Sequence, residues 1–166
     1  MAKFIDLTHV FETGMPGFRM RDKSGQMTKF TAQISPFLTH AESKPNYQGN
    51  ASFEITYAAF QTSLGTYLDA PRHRYEGAPD IASLALSSLI APGIVVDGRH
   101  CHQERPLSVA DLPKAELLEG RAVLINFGYD QHWGAESYFN YPYVDRDGLR
   151  YLLDSKISLF GVDTLN

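Results

Sequence analysis

The sequence predicts an α/β fold: a single domain over residues 1–166, with a mixed β-sheet core and flanking helices. Three apolar runs of strand length, Gly93–Asp97, Ala122–Phe127 and Ile157–Asp163, are of the kind found in central strands covered on both faces. Between them lie two helix starts. Ser108 with Asp111 three residues on has the pattern of a capping box, and Asp145 precedes Leu149, Leu152 and Leu153 on one stripe. With 43% hydrophobic and 20% charged residues the composition is globular. A chain of this size buries roughly 70% of its unfolded surface, so it needs no disulfide or structural metal to hold a core.

The N-terminal half is β-rich and irregular. Lys3 to Val10, ending in Asp6-Leu7-Thr8-His9, predicts a strand with polar groups at its end. Phe11 to Thr28 carries Gly14, Pro16, Gly17 and Gly25 without a helical or strand period, and predicts a long loop. Strands near Phe30–Leu38 and Ser52–Thr62 read as a long hairpin around an irregular stretch from Thr39 to Asn50. The two irregular arms, with the flanking Phe37, hold Phe18, Met20, Met27 and Tyr47, more apolar side chains than a solvated loop needs. They predict burial against another subunit, hence a homo-oligomer.

Fifteen Lys+Arg against nineteen Asp+Glu give a formal charge of −4, with no basic run, which argues against nucleic acid and anionic membrane as partners. The longest apolar segment, Ile81 to Val96, is interrupted by Ser83, Ser87, Ser88, Pro92 and Gly93, and falls short of the roughly 20 apolar residues of a membrane span. The single Cys101 makes no internal disulfide, and the opening residues lack the apolar core of a signal peptide, so a cytoplasmic location is expected. His100-Cys101-His102 reads as an exposed turn. In a strand the two imidazoles would share one face with Cys101 opposite, and no second ligand pair follows.

The densest chemical cluster is Ser63-Leu64-Gly65-Thr66-Tyr67-Leu68-Asp69-Ala70-Pro71-Arg72-His73, just past a predicted strand, where sites are commonly built. Gly65 permits a positive φ, Pro71 stiffens the exit, and Asp69 and His73 then face one cavity. The competing reading is a turn in which Asp69 caps backbone amides and His73 sits on the surface. His9 fits a pocket-lining or a structural role equally well. Trp133, with His132 in a Gly-bounded loop, fits either stacking on an aromatic substrate or a core or interface position.

The cluster resembles the signature of the cyclase family, the group that includes bacterial kynurenine formamidases and isatin hydrolases, whose pattern is His-x-Gly-Thr-His-x-Asp-x-Pro-x-His. Five of its seven fixed positions are present as Gly65, Thr66, Asp69, Pro71 and His73. Ile5-Asp6-Leu7-Thr8-His9 with Gly14-Met15-Pro16 is similar to the family's opening segment. Gly128-Tyr129-Asp130-Gln131-His132-Trp133-Gly134 with Tyr138, Phe139 and Pro142 is similar to its central loop, and Gly161-Val162-Asp163 to its last strand. The resemblance covers essentially the whole chain and implies a swivelling β/β/α fold.

The resemblance also implies a divalent metal, zinc or manganese, held by the first two signature histidines and the aspartate, here Asp69, with the last histidine, His73, as acid or base. The two histidine positions are occupied by Ser63 and Tyr67. A hydroxyl and a phenol in place of two imidazoles weaken any such site. Family members also carry a histidine and a glutamate beyond Gly-Val-Asp, whereas this sequence ends at Asn166, so the chain is read as either shortened at its C-terminus or without those ligands.

Two functions follow. In one, the protein is a hydrolase of a small cyclic or aromatic substrate, cleaving an amide, formamide or lactam bond in the manner of an arylformamidase. His73, Asp69 and Tyr67 are then catalytic, and Ser63, Thr66, His9 and Trp133 bind substrate. In the other, catalysis is lost and the protein binds a small molecule or serves assembly.

Overall fold

A computed structural model describes residues 5–165, which form two compact units, one ending at Ala78 and one beginning at Pro79. In the first unit, β1 (Pro16–Arg21) and β2 (Met27–Thr31) form an antiparallel hairpin pairing Met20 with Thr28 and Arg21 with Met27. The long loop expected from Phe11 to Thr28 is therefore corrected, and the reason is turn chemistry. The Asp22 carboxylate accepts from Ser24 N (2.8 Å), Ser24 Oγ (2.6 Å) and Gln26 N (2.9 Å), while Gly25 takes φ 87°. These bonds, the Ser24 hydroxyl's foremost, hold the Asp22 carboxyl below its ordinary pKa.

The strand expected at Phe30–Leu38 is divided at the buried Ala32, whose N–H donates to Met15 O and whose carbonyl accepts from Gly14 N. β3 (Gln33–Leu38) then pairs antiparallel with β4 (Ile55–Ala59), the expected hairpin with a shorter second strand. Its connection is more ordered than composition suggests. Thr39 and Glu42 form a capping box for α1 (His40–Ser43), which runs into a 3₁₀ turn at Lys44–Tyr47. The fully buried Ser43 donates from Oγ to Phe53 O (2.6 Å) and accepts from Phe53 N (2.9 Å), pinning the loop to the hairpin. Residues 5–10 form no strand, which corrects the reading of Lys3 to Val10; Lys3 itself lies outside the described residues. There Asp6 Oδ1 accepts from Thr8 N (3.0 Å) and Thr8 Oγ1 (2.6 Å), a local closure that competes with strand pairing.

The second unit is a parallel sheet in the order β5 (Gly93–Asp97), β6 (Ala122–Asn126), β7 (Leu159–Val162), with Val96 opposite Ile125 and Ile125 opposite Val162. The α/β class is thus as expected, with strands of both orientations in the chain. Each crossover carries a helix, α2 (Ala115–Leu118) and α3 (Arg146–Asp154). The Ser108–Asp111 capping box forms in both directions, yet the helix it opens is a 3₁₀ turn, Val109–Asp111. Leu112 precedes Pro113 and is forced to extended backbone, φ −94° and ψ 147°, so α2 must start afresh.

Asp145 caps α3, accepting from Gly148 N at 2.6 Å. The expected apolar stripe is displaced: Leu152 is buried, but Leu149 and Leu153 are 41% and 74% exposed. The inward face runs through Gly148, Tyr151, Leu152 and Ser155, spaced i, i+3, i+4, i+7. A Cβ on Gly148 would lie 2.9 Å from Val144 Cγ1 and 3.3 Å from Leu107 O, so the missing side chain lets the helix approach. The core gathers Val96, Leu107, Leu118, Val123, Ile125, Phe127, Val144 and Leu152. Val95 is 65% exposed, so β5 does not bury both faces as its apolar run suggests.

Candidate active site

After β4 the chain bends through Ser63–Gly65 and runs without regular structure to Ala70, where Pro71 opens a 3₁₀ turn, Pro71–His73. Ala70 is extended, φ −81° and ψ 162°, as the residue before a proline should be. His73 N donates to Ala70 O (2.9 Å) and Arg74 N to Pro71 O (3.1 Å). This tight turn carries the imidazole back toward the residue four positions earlier, leaving His73 Nδ1 3.4 Å from Asp69 Oδ1. Both side chains are part-exposed, so a substrate can reach the pair. Asp69 and His73, selected from sequence, are thus brought together.

Ser63 and Tyr67, at the two positions where the signature has histidine, hydrogen-bond with each other. Partial burial, reinforced by the Asp69 charge, pushes the Tyr67 phenol above its ordinary pKa. It remains a neutral hydrogen-bond donor at physiological pH. Thr66 donates from Oγ1 to Leu7 O at 3.4 Å, and with His9 it lines a concavity of ≈ 240 Å³ that also includes Asp6, Phe11 and Met15. Gly65 has φ 62°, and a Cβ there would lie 2.6 Å from Met15 Cε. Gly65→Ala should destabilise the protein by about 1–3 kcal/mol, the cost of a left-handed backbone on a non-glycine residue, read as a lower denaturant midpoint.

The donors at the signature do not fit a zinc or manganese site of the family type. Its two histidine positions offer a hydroxyl and a neutral phenol already bound to each other, and the one carboxylate faces His73. The chemistry open to these side chains is proton transfer and hydrogen bonding.

Trp133 belongs to the second unit, where it packs edge-on against the buried Tyr138 with ring centroids 5.2 Å apart. Its loop is strongly held. Asp163, just past β7, accepts from Phe127 N (2.9 Å) and Tyr129 N (3.0 Å), and Asn126 Oδ1 accepts from Gly128 N (2.8 Å). The Tyr129 hydroxyl donates to Ser137 O and Asn140 O. Sequence reasoning passed over Asp163 as a strand end; a carboxylate at the carboxyl end of a parallel strand is the signal that marks it.

In the same unit His100-Cys101-His102 follows the expected turn: Cys101 N donates to Gly98 O (2.9 Å), closing it at Arg99 and His100. His100 Nε2 lies 2.9 Å from Asp111 Oδ1, and ligand atoms of His100, Cys101 and Asp111 all fall within 4.8 Å of one another. Hydrogen bonds from the Ser108 backbone, then from His100, depress the Asp111 carboxyl to about 2. The sequence marked Asp111 only as a cap.

A search of curated proteins found no match to this sequence. Among solved structures, the chain is similar to isatin hydrolase A from Ralstonia solanacearum, with a TM-score of 0.73 and 19% identity over 98% of this chain. It spans 66% of that protein's length, and the likeness is one of fold. The family model described as "Putative cyclase" matches residues 5–166. With the glycine, threonine, aspartate, proline and histidine of the signature in place around the Asp69–His73 turn, the chain belongs to the Cyclase family.

Proposed function

We propose that the protein is a hydrolase that cleaves an amide, formamide or lactam bond in a small cyclic or aromatic substrate, in the manner of an arylformamidase. The observation that carries the reading is the approach of His73 Nδ1 to Asp69 Oδ1 at 3.4 Å on an accessible turn. Engaged acid–base pairs sit at about 2.6–3.2 Å and commonly tighten only when substrate binds. In this mechanism Asp69 orients the imidazole. His73 takes a proton from water as the water oxygen attacks the carbonyl carbon, then returns it to the nitrogen as the C–N bond breaks. Tyr67, neutral, donates a hydrogen bond to the oxygen on which negative charge develops. Ser63 holds that phenol, and Thr66 and His9 line the concavity for a small ligand.

The test is hydrolysis of a panel of N-formyl arylamines, lactams and simple aryl amides. Turnover of at least one class, lost in His73→Ala, is expected. A folded protein inert toward all of them would overturn the reading in favour of a binding or assembly protein. That second reading is favoured by the apolar surface of the first unit, where Phe18, Phe37 and Tyr57 are each more than half exposed.

The same surface supports a homodimer or homotetramer. Among the described residues of the first unit, only Met15, Ala32 and Leu64 are buried apolar side chains. Sedimentation at micromolar concentration should give a multiple of the 18.6 kDa chain mass; a monomer would count against it. A cytoplasmic location is proposed too. Among the described residues no helix is long and apolar enough to cross a membrane.

A further inference from the structure

We propose that His100, Cys101 and Asp111 form a binding site for one zinc-class divalent cation, separate from the Asp69–His73 turn. The three side chains offer nitrogen, sulfur and oxygen, a set that suits zinc and its borderline neighbours and does not suit magnesium or calcium. Their ligand atoms lie within 4.8 Å of one another, so small rotations bring them onto one ion. The residues come from two separately braced pieces of chain. The turn carrying His100 and Cys101 is closed by Cys101 N to Gly98 O at 2.9 Å. Asp111 is fixed through Oδ2, which accepts from Ser108 N (3.0 Å) and Ser108 Oγ (2.9 Å). That leaves Oδ1 on the side of His100, 2.9 Å from its Nε2, where an ion would replace the bridging proton.

Two features oppose binding, and both yield. Arg105 Nη2 stands 3.9 Å from Asp111 Oδ1, but its side chain is 58% exposed and free to swing into solvent. Partial burial and the neighbouring Asp111 keep the Cys101 thiol protonated, so coordination must release that proton to solvent as the sulfur–metal bond forms. Cys101 also lines a concavity of ≈ 340 Å³ with His102, Glu104 and Tyr129. A tetrahedral ion held by three protein ligands has its fourth position available to water or a small ligand.

The experiment is titration of the full chain with Co²⁺ as an optical surrogate, followed by Zn²⁺. Cys101 is the single cysteine, so thiolate-to-cobalt charge-transfer absorption reports this site alone. The expected result is a band that saturates at one equivalent, disappears on adding Zn²⁺, is absent in Cys101→Ser and persists in Asp69→Asn. His100→Ala and Asp111→Asn should each weaken affinity by about tenfold or more, the scale that even outer-shell partners of a metal command. Asp111→Asn also touches a cap, so the exposed His100→Ala decides if that variant misfolds. Absence of the band in the unaltered protein, or an affinity unmoved by His100→Ala, would overturn the proposal.

Discussion

If the proposed amide hydrolysis holds, the His73→Ala protein is expected to turn over substrate roughly 10²–10⁴-fold more slowly than the unaltered chain, the range of general acid–base catalysis. The loss should fall on kcat, because the imidazole acts on a proton in flight and does not hold substrate. Folding should barely register it: His73 is an exposed residue at the end of a 3₁₀ turn whose bonds are all backbone, so stability should stay within about 0.5 kcal/mol. Paired denaturation and steady-state measurements check both halves. Asp69→Asn tests the same pair from its other side. It keeps the shape but removes the charge that orients the imidazole, so a fall in kcat in the same direction is expected, and unchanged rates would detach Asp69 from His73.

The largest effect on stability should come from Asp163→Ala. One carboxylate accepts two backbone N–H groups, from Phe127 and Tyr129, and hydrogen bonds to a charged group contribute about 1.5–3 kcal/mol each. Removing it strands two donors beside Phe127, which is 5% exposed and part of the core. A loss of about 3 kcal/mol or more is expected, measured as a drop in the denaturant midpoint of the β5–β7 unit. Asp163→Asn keeps one acceptor oxygen and should lose about half as much. If both variants unfold like the unaltered protein, the carboxylate is not what holds the loop.

How far the fold was legible depends on where its information resides. The three parallel strands were, because Val95-Val96, Val123-Leu124-Ile125 and Leu159-Phe160 are apolar runs that few other structures tolerate. The β1–β2 hairpin was not, because its register rests on one side chain, Asp22, bonding three groups in its own turn, while the strands alternate too weakly to show a period. The inward face of α3 was misjudged because Gly148, with no side chain, decides it. At the site, Asp69 and His73 were legible as a pair through the resemblance to the cyclase signature, since their spacing alone also fits a turn in which Asp69 caps backbone amides. The partnership of His100 and Cys101 with Asp111 was not, because it needs the turn at Gly98 and the cap at Ser108 to form together.

The anchoring of the β6 loop by Asp163 also sets an order of events during synthesis. Phe127 and Tyr129 emerge from the ribosome 36 and 34 residues before the carboxylate that receives their N–H groups. Until β7 has been made and added to the sheet's edge, those two N–H groups lack the acceptor that ties the loop to the sheet. The tie between this loop and the sheet is therefore made only after β7 has joined β6.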